Sequence, residues 1–297
     1  MSMAQYTGIL TKCIGGFYYV EVADTVYTCK ARGSFRKEGI SPVAGDLVEI
    51  SVQEDGSGTV DTVFPRRNVL LRPPVANVDL LVVVVSVTAP VPNFQVIDKM
   101  IAIAEQKEIE PVLVINKTDL KDGADVARIY RNAGFDCFEV SALQPQTVKP
   151  LFERLQGKVS AFTGNSGVGK SSILNALDPA LAIETGEISQ KLGRGRHTTR
   201  CATLFHIGTG LIVDTPGFSS LDVSLVEETL DKEQLFYCFR EFGEYFAKCR
   251  FSSCAHVNEP GCAVRAAVEG EKIAPSRYES YVALYEQLKT KKEWESK

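Results

Sequence analysis

The residues with the clearest chemistry form a glycine-rich octapeptide, GNSGVGKS, at 164–171. It matches the pattern G-x-x-x-x-G-K-[ST] and lies between an aliphatic run that predicts a strand and a helical pattern. Glycines there let backbone N–H groups approach phosphate oxygens, Lys170 brings charge to the β- and γ-phosphates, and Ser171 offers its hydroxyl to Mg²⁺. The predicted phosphate-binding residues are Gly164, Asn165, Ser166, Gly167, Val168, Gly169, Lys170, Ser171 and Ser172.

A second motif, DTPG at 214–217, ends another aliphatic strand. Its carboxylate, Asp214, is expected to hold Mg²⁺ together with Ser171. The backbone amide of Gly217 is expected to sense the γ-phosphate. These residues would complete the phosphate end of the site.

Two further motifs favour guanine as the base. NKTD at 116–119 follows the strand pattern PVLVI, and Ser141 with Ala142 follows CFEV, where a backbone N–H can reach guanine O6. The Asp119 carboxylate can accept from N1–H and from the 2-amino group of guanine, whereas adenine would leave it unpaired. Each motif alone is weak, and 116–119 has the alternative interpretation of an ordinary strand-end turn. The predicted base pocket contains Asn116, Lys117, Asp119, Ser141 and Ala142.

A cluster of cysteines predicts a metal site. Cys249, Cys254, His256 and Cys262 lie within 14 residues. They supply three thiolates and one imidazole, a set suited to tetrahedral Zn²⁺. Four protein ligands leave no position for water, so we expect one structural zinc ion per chain rather than a catalytic one. Free buried cysteines are the alternative, and the other five of the eight cysteines are interpreted as ordinary thiols.

Three segments of different pattern are expected to position these motifs. Residues 1–72 alternate apolar and polar residues between frequent turns, which predicts a small five-stranded barrel of the OB type. Residues 73–225 alternate strand and helix patterns, typical of a doubly wound α/β domain that binds ligands at the carboxyl ends of its strands. Residues 226–297 have a helical pattern around the cysteine cluster, with an apolar stripe that we expect in a core. The stripe contains Leu235, Phe236, Phe239, Phe242 and Phe246.

The barrel segment mixes aromatic and basic residues, and two interpretations are open. Aromatic side chains can stack on bases while cations neutralise phosphates, as in proteins that bind single-stranded nucleic acid. Alternatively, the aromatic residues fill the barrel core and the charges are solvated. The residues concerned are Phe17, Tyr18, Tyr19, Lys30, Arg32, Phe35, Arg36, Lys37, Arg66, Arg67 and Arg72.

Composition limits the classes of protein to consider. With 297 residues, 44% hydrophobic and 24% charged, the chain is neither a disordered nor a fibrous protein. The formal net charge of -4 argues against a wholly basic surface for nucleic acid, although residues 191–200 hold four basic residues and no acid. The longest aliphatic run, 80–87, is far shorter than the about 20 residues of a membrane-spanning helix. Since no secretory pattern is present either, we expect a cytoplasmic protein that binds no membrane.

The order of the motifs is unusual, because the guanine motifs precede the phosphate loop and DTPG follows it. A circular permutation explains this order, since the ends of adjacent strands still assemble one site. The permuted order, the motifs GNSGVGKSS, GRGRHTT and DTPG, and the cysteine spacing with EPGCAV at 259–264 resemble the ribosome small-subunit-dependent GTPase A family over nearly the whole chain. The resemblance implies an N-terminal OB-fold barrel, a central circularly permuted P-loop GTPase domain and a C-terminal α-helical zinc-binding domain.

The resemblance also implies a function. It implies binding of GTP and GDP, GTP hydrolysis stimulated by the 30S ribosomal subunit, contact with 16S rRNA and assistance to late maturation of that subunit. A monomer is expected. Two other classes stay open: a non-catalytic RNA-binding scaffold that senses guanine nucleotide, and an ATP-dependent kinase or ATPase that shares only the phosphate loop.

The segment GRGRHTTR at 193–200 occupies the place of a switch loop, in which either threonine could close over Mg²⁺ and the γ-phosphate. Phe218 stands where Ras-like enzymes carry the glutamine that orients water, and an apolar side chain cannot do that. The resemblance implies that His197 takes this role; a solvated residue or an RNA contact is the alternative. The predicted catalytic residues are Lys170, His197, Thr198 and Thr199.

Overall fold

The computed structural model describes residues 4–71, 74–183, 202–214 and 230–295, and these fall into two compact units. The first unit comprises Met1–Leu80, Phe152–Phe162 and Ile183–Gly217. The second comprises Leu81–Leu151, Thr163–Ala182 and Phe218–Lys297. Both predicted domain boundaries, after residues 72 and 225, fall outside the described residues, so the three-domain division stays a prediction.

The first unit contains a closed five-stranded barrel, which confirms the predicted OB-type fold. Strand pairing follows the order β1, β2, β3, β5, β4, and β4 pairs with β1 to close it. Gly15 and Gly16, at φ of +60° and +83°, form the two-residue turn that joins β1 to β2. Leu10, Val20 and Val60 are fully buried inside. The elements are β1 Ala4–Ile14, β2 Phe17–Val22, β3 Thr25–Ala31, helix α1 Ser34–Glu38, β4 Leu47–Val52 and β5 Gly58–Val63.

Further strands of the first unit continue from the barrel. They are β6 Val69–Leu71, β7 Pro74–Ala76, β11 Val159–Thr163, β12 Thr203–Ile207 and β13 Gly210–Asp214. Strand β11 runs parallel to β13, and β13 pairs antiparallel with β12. Strand β12 pairs antiparallel with barrel strand β1, where Thr203 lies opposite Lys12. The barrel therefore shares one hydrogen-bonded sheet with β11, β12 and β13, whereas β6 and β7 form a separate two-stranded sheet.

The second unit contains parallel strands and helices. Its strands are β8 Leu80–Ser86, β9 Glu110–Asn116 and β10 Asp136–Glu139. Strand β9 pairs parallel with β10 and neighbours β8, whose residues are all buried, as its continuous aliphatic sequence predicts. The helices are α2 Phe94–Gln106, α3 Ala124–Asn132, α4 Pro145–Leu155, whose last turn belongs to the first unit, and α5 Lys170–Leu177, followed by a 3-10 turn at Pro179–Leu181.

Beyond residue 230 the second unit consists of short helices around the cysteine cluster, followed by a helix of 21 residues. The predicted apolar stripe is confirmed as core, because Leu235, Phe239 and Phe242 are at most 1% exposed. Leu235 and Phe242 lie in 3-10 rather than α-helices, and Phe239 links the two 3-10 helices, so the stripe is built from short helical turns. The helices are Leu235–Cys238 and Arg240–Lys248, both 3-10, then α6 Ala263–Glu269 and α7 Pro275–Glu295. Among the helices of the described residues, none combines the length and apolarity needed to cross a membrane.

Candidate functional site

The phosphate-loop motif adopts a conformation that its glycines permit. The loop 164–169 joins the end of β11 to the start of α5. Gly164, Gly167 and Gly169 have φ of +139°, +82° and +95°, values that other residues rarely adopt. A Cβ on Gly169 would also collide with the side chain of Asn116. The strand, loop and helix that the motif requires are therefore present in that order.

Lys170 is held against the loop by carbonyl groups of the loop itself. Its Nζ donates to the carbonyls of Gly164 at 2.6 Å and Asn165 at 2.9 Å, and the residue is only 5% exposed. Burial lowers the pKa of Lys170 to about 8. At neutral pH most of the amine is still charged, so a phosphate group would meet a cation that few water molecules screen. Ser171, in the first turn of α5, is buried as well.

Asn116 joins three of the predicted motifs. It is 2% exposed at the end of β9, and its Nδ2 donates to the carbonyl of Val168 in the phosphate loop at 2.9 Å. Its Oδ1 accepts from the backbone N–H of Ala142 at 3.3 Å. An ordinary strand-end turn would not require these two contacts. One buried amide therefore brings NKTD, the phosphate loop and the Ser-Ala turn together.

Lys117 extends this connection. It has a φ of +67°, and its Nζ donates to the carbonyls of Ala89 at 2.7 Å and Gly167 at 2.8 Å. Ser141 is fully buried beside Ala142, whereas Asp119 lies exposed in the turn after β9. An exposed carboxylate next to a rigid backbone is accessible to an incoming base.

The remaining phosphate and catalytic assignments fall on residues or side chains outside the described part of the chain. Strand β13 ends at Asp214 as predicted, but the described residues do not include that side chain. The magnesium pair of Ser171 and Asp214 therefore stays a prediction. Of the residues that the sequence analysis named for hydrolysis and the γ-phosphate, five lie outside the described part of the chain. They are His197, Thr198, Thr199, Gly217 and Phe218.

The four predicted metal ligands come together in the second unit. Their ligand atoms all lie within 4.8 Å of one another, and Nδ1 of His256 lies 3.6 Å from Sγ of Cys249 and 3.5 Å from Sγ of Cys262. A tetrahedral zinc ion binds nitrogen at about 2.0 Å and sulfur at about 2.3 Å. Its nitrogen and sulfur ligands are then about 3.5 Å apart. The cluster, completed by Cys254, could therefore hold a metal ion, and its thiolates and imidazole suit Zn²⁺.

Burial disfavours the thiolate form of two cysteines in this cluster. Burial, together with a hydrogen bond to Cys262, raises the pKa of Cys254 to about 12, and burial also raises the pKa of Cys262. Burial lowers the pKa of His256, which favours the neutral imidazole that binds metals. An incoming ion would therefore displace thiol protons. Cys238 lies outside the ligand set, and its Sγ donates to the carbonyl of Gln234.

For the aromatic and basic residues of the barrel, part of the set fits a core and part fits a surface for nucleic acid. Phe35 belongs to the core, since it is 5% exposed. Phe17 lies on the surface at 41% exposure, with the Lys30 amine 5.5 Å from its ring centroid. Three arginines of the first unit form ion pairs with acids, although the side chains of Arg32 and Arg67 are 58% and 60% exposed and that of Arg66 is 30% exposed. These pairs are Arg32 with Asp61, Arg66 with Asp46 and Arg67 with Asp79.

Sequence reasoning missed two polar arrangements in the second unit. Glu259 accepts hydrogen bonds from three backbone N–H groups next to the metal ligands. Arg277, which is 1% exposed, forms ion pairs with two carboxylates. Glu259 stood out only as part of EPGCAV. The one signal for Arg277 in the sequence is its position directly before the apolar residues of α7.

Comparison with known proteins supports the same interpretation along the whole chain. The profile of the RsgA GTPase family matches residues 63–224, and that of the RsgA N-terminal domain matches 7–60. The small ribosomal subunit biogenesis GTPase RsgA of Geobacillus sp. strain WCH70 is 42% identical over 291 residues, which covers 96% of this chain and 98% of that protein.

Two solved structures are similar over nearly their full length. The crystal structure of YjeQ from Thermotoga maritima has a TM-score of 0.81 and 37% identity, covering 96% of this chain and 99% of that one. YloQ, described as a circularly permuted GTPase, has a TM-score of 0.81 and 34% identity, covering 97% of this chain and 96% of that one.

Proposed function

Because the chain belongs to the RsgA GTPase family, and is a circularly permuted GTP hydrolase, we propose that it hydrolyses GTP on the small ribosomal subunit and assists late maturation of that subunit. The observation that carries this proposal is the side chain of Asn116, which links the guanine motifs to the phosphate loop. Relatives named small ribosomal subunit biogenesis GTPase support the partner.

In this proposal the described residues bind the two ends of the nucleotide. Asp119 accepts from N1–H and the 2-amino group of guanine, and the backbone N–H of Ala142 donates to O6. Lys170 and the backbone amides of the loop 164–169 neutralise and orient the phosphates. A Mg²⁺ ion held by Ser171 and Asp214 would supply charge at the β- and γ-phosphates. His197 orients the attacking water, and Thr198 or Thr199 closes the switch loop.

The four clustered ligands Cys249, Cys254, His256 and Cys262 hold one structural Zn²⁺ in this proposal. The fit of their spacing to a tetrahedral ion supports zinc. Residues 1–72, 73–225 and 226–297 act as barrel, GTPase domain and zinc-binding domain of a cytoplasmic monomer. The barrel and the zinc-binding domain contact 16S rRNA, for which Phe17 with Lys30 offers a ring and a cation together.

Multiple-turnover hydrolysis tests the proposal. We expect the purified chain to hydrolyse GTP in preference to ATP, and purified 30S subunits to raise kcat. Equal hydrolysis of ATP would support the kinase or ATPase class instead. Guanine-nucleotide binding without turnover, with or without subunits, would support the non-catalytic scaffold.

A variant separates catalysis from binding. His197→Ala is expected to lower the stimulated kcat by about 10²-fold or more while GTP affinity is retained, because a water-positioning group acts mainly in the transition state. An unchanged stimulated rate in this variant would contradict the role of His197.

A further inference from the structure

In the loop 255–258, which carries the metal-ligating His256, three of the four backbone N–H groups donate to one carboxylate. That carboxylate belongs to Glu259, and both of its oxygens accept from the loop. The donors are the N–H of Ala255, 3.0 Å from Oε1, and those of Val257 and Asn258, each 3.1 Å from Oε2. Since both oxygens face the loop backbone, Glu259 supports the ligands and is not one of them.

Two tyrosines of α7 bind the carbonyl groups of the same loop. The Tyr281 hydroxyl donates to the carbonyl of Ala255 at 2.7 Å, and the Tyr278 hydroxyl donates to that of His256 at 2.9 Å. Tyr281 is 1% exposed within the aromatic core. Donors and acceptors of the loop are therefore both bound by side chains of the protein itself.

These bonds hold His256 in an unusual conformation. Its φ is +60°, in the left-handed region that residues with a Cβ disfavour. Such a conformation persists only where the surroundings fix it. In this conformation Nδ1 lies 3.6 Å from Sγ of Cys249 and 3.5 Å from Sγ of Cys262, distances that fit a tetrahedral ion.

We infer that Glu259 is a positioning residue for the metal centre. By holding the loop 255–258 it fixes His256 with Nδ1 next to the cysteine sulfurs before the ion arrives. Ligands fixed in advance lose less conformational entropy on binding, and partners of this kind typically change metal affinity by about 10- to 100-fold. The inference rests on the metal proposed for the four ligands.

Three full-length variants test this role. Glu259→Ala removes all three acceptor contacts, Glu259→Gln keeps one acceptor oxygen, and Tyr281→Phe removes one hydroxyl. Glu269→Ala, an exposed position at the end of α6, is the matched control. Zn²⁺ affinity is measured by competition with a chromogenic chelator, and the visible absorption of the Co²⁺-loaded protein reports the coordination geometry.

We expect Zn²⁺ affinity to fall by about 10- to 100-fold in Glu259→Ala, and by less in Glu259→Gln and Tyr281→Phe. The Co²⁺ bands of Glu259→Ala should weaken and shift, because a displaced imidazole changes the tetrahedral field. A role in general stability alone would leave this spectrum unchanged. If Glu259→Ala does not fold, the nearly isosteric Glu259→Gln carries the test.

Zn²⁺ affinities within about twofold of the wild type, with unchanged Co²⁺ spectra, would overturn the inference. A wild-type protein that binds neither Zn²⁺ nor Co²⁺ would overturn it together with the proposed zinc. Both results are distinct from a failure of the proposed GTPase function, because the metal measurements need neither nucleotide nor ribosomal subunits.

Discussion

At the scale of single residues, the choice of base depends on the carboxylate of Asp119. In Asp119→Asn the amide can no longer accept two hydrogen bonds from guanine, but its N–H₂ group can donate to the 2-oxygen of xanthine. We expect affinity for GDP to fall by at least about 10²-fold while affinity for xanthosine diphosphate rises. Competition binding with the two nucleotides measures both changes.

The matched control for this prediction is Asp125→Asn. Asp125 lies in the first turn of α3 with an 88% exposed side chain, and it pairs with Arg128, whose side chain is 71% exposed. This control should leave both affinities unchanged. A parallel loss of both nucleotides in Asp119→Asn would indicate damage to the turn and would contradict base recognition by Asp119.

Lys170 makes a prediction about pH, because burial lowers the pKa of its amine to about 8. Phosphates favour the charged amine, so the pKa rises when nucleotide binds. Affinity for GDP should then be constant below pH 8 and fall as pH rises through 8, by at most about tenfold per unit. Titrations between about pH 6.5 and pH 9 measure this slope.

The variant Lys170→Met identifies the titrating group. It should bind GDP weakly at every pH and lose the slope, since no amine remains. If the slope persists in this variant, another group is responsible and the assignment to Lys170 is wrong.

The motifs at this scale were predictable because each is short and carries its own chemistry. The sequence predicts that Asn116, Asp119 and Lys170 serve one nucleotide. It does not predict that Asn116 holds the phosphate loop, because that contact joins residues 52 positions apart and depends on the path of the strands. The role of Glu259 was missed although its partners are close in sequence. These partners are backbone N–H groups, which every residue type carries, so no residue pattern marks them.

At the scale of elements, a buried charge cluster fixes α7 within the second unit. The guanidinium of Arg277 donates to Asp98 of α2 and to Glu241 of the preceding 3-10 helix, both at 2.7 Å. Asp98 also accepts from the hydroxyl of Tyr130 in α3 at 2.8 Å. All these groups are nearly excluded from solvent, so removing one partner leaves others charged and unpaired.

We therefore expect Arg277→Met to lower the free energy of unfolding by about 3–5 kcal/mol, as for other broken buried ion pairs. Adding Asp98→Leu and Glu241→Leu should restore part of this loss, because an apolar cluster leaves no buried charge. Urea denaturation followed by circular dichroism measures the series.

An exposed pair of the same chemistry provides the control for this series. Arg128→Met breaks the ion pair with Asp125, whose side chains are 71% and 88% exposed, and it should cost less than about 1 kcal/mol. Similar losses in Arg277→Met and Arg128→Met would contradict the structural role of the buried cluster.

At the scale of the whole molecule, the fold was predictable where the hydrophobic pattern and the turn residues indicate the same element. Alternating strands with turn glycines predict the barrel, and the continuous aliphatic run of β8 predicts a strand buried on both faces. The pattern could not predict which basic residues are available to a partner. Arg32, Arg66 and Arg67 fit a basic surface in the sequence but are paired with acids in the structure.

This pairing leads to a prediction about the proposed rRNA contact. The chain has a net charge of -4, and several of its described arginines already have carboxylate partners, so we expect few phosphate contacts. With about three phosphate contacts, affinity for 30S subunits should fall by about fortyfold between 50 and 200 mM salt, whereas six to ten contacts would cost about 10³- to 10⁵-fold. Sedimentation with subunits over this salt range measures the loss.

Substitution of Lys30 tests the prediction of few phosphate contacts at a single residue. Its amine is exposed beside the ring of Phe17, and Lys30→Gln should reduce the slope of log affinity against log salt by about 0.9 if it meets a phosphate. Arg66→Gln is the comparison, because this side chain is occupied by Asp46 and should not change the slope. A loss of 10³-fold or more in the wild type would mean that binding opens these ion pairs and recruits their arginines to rRNA.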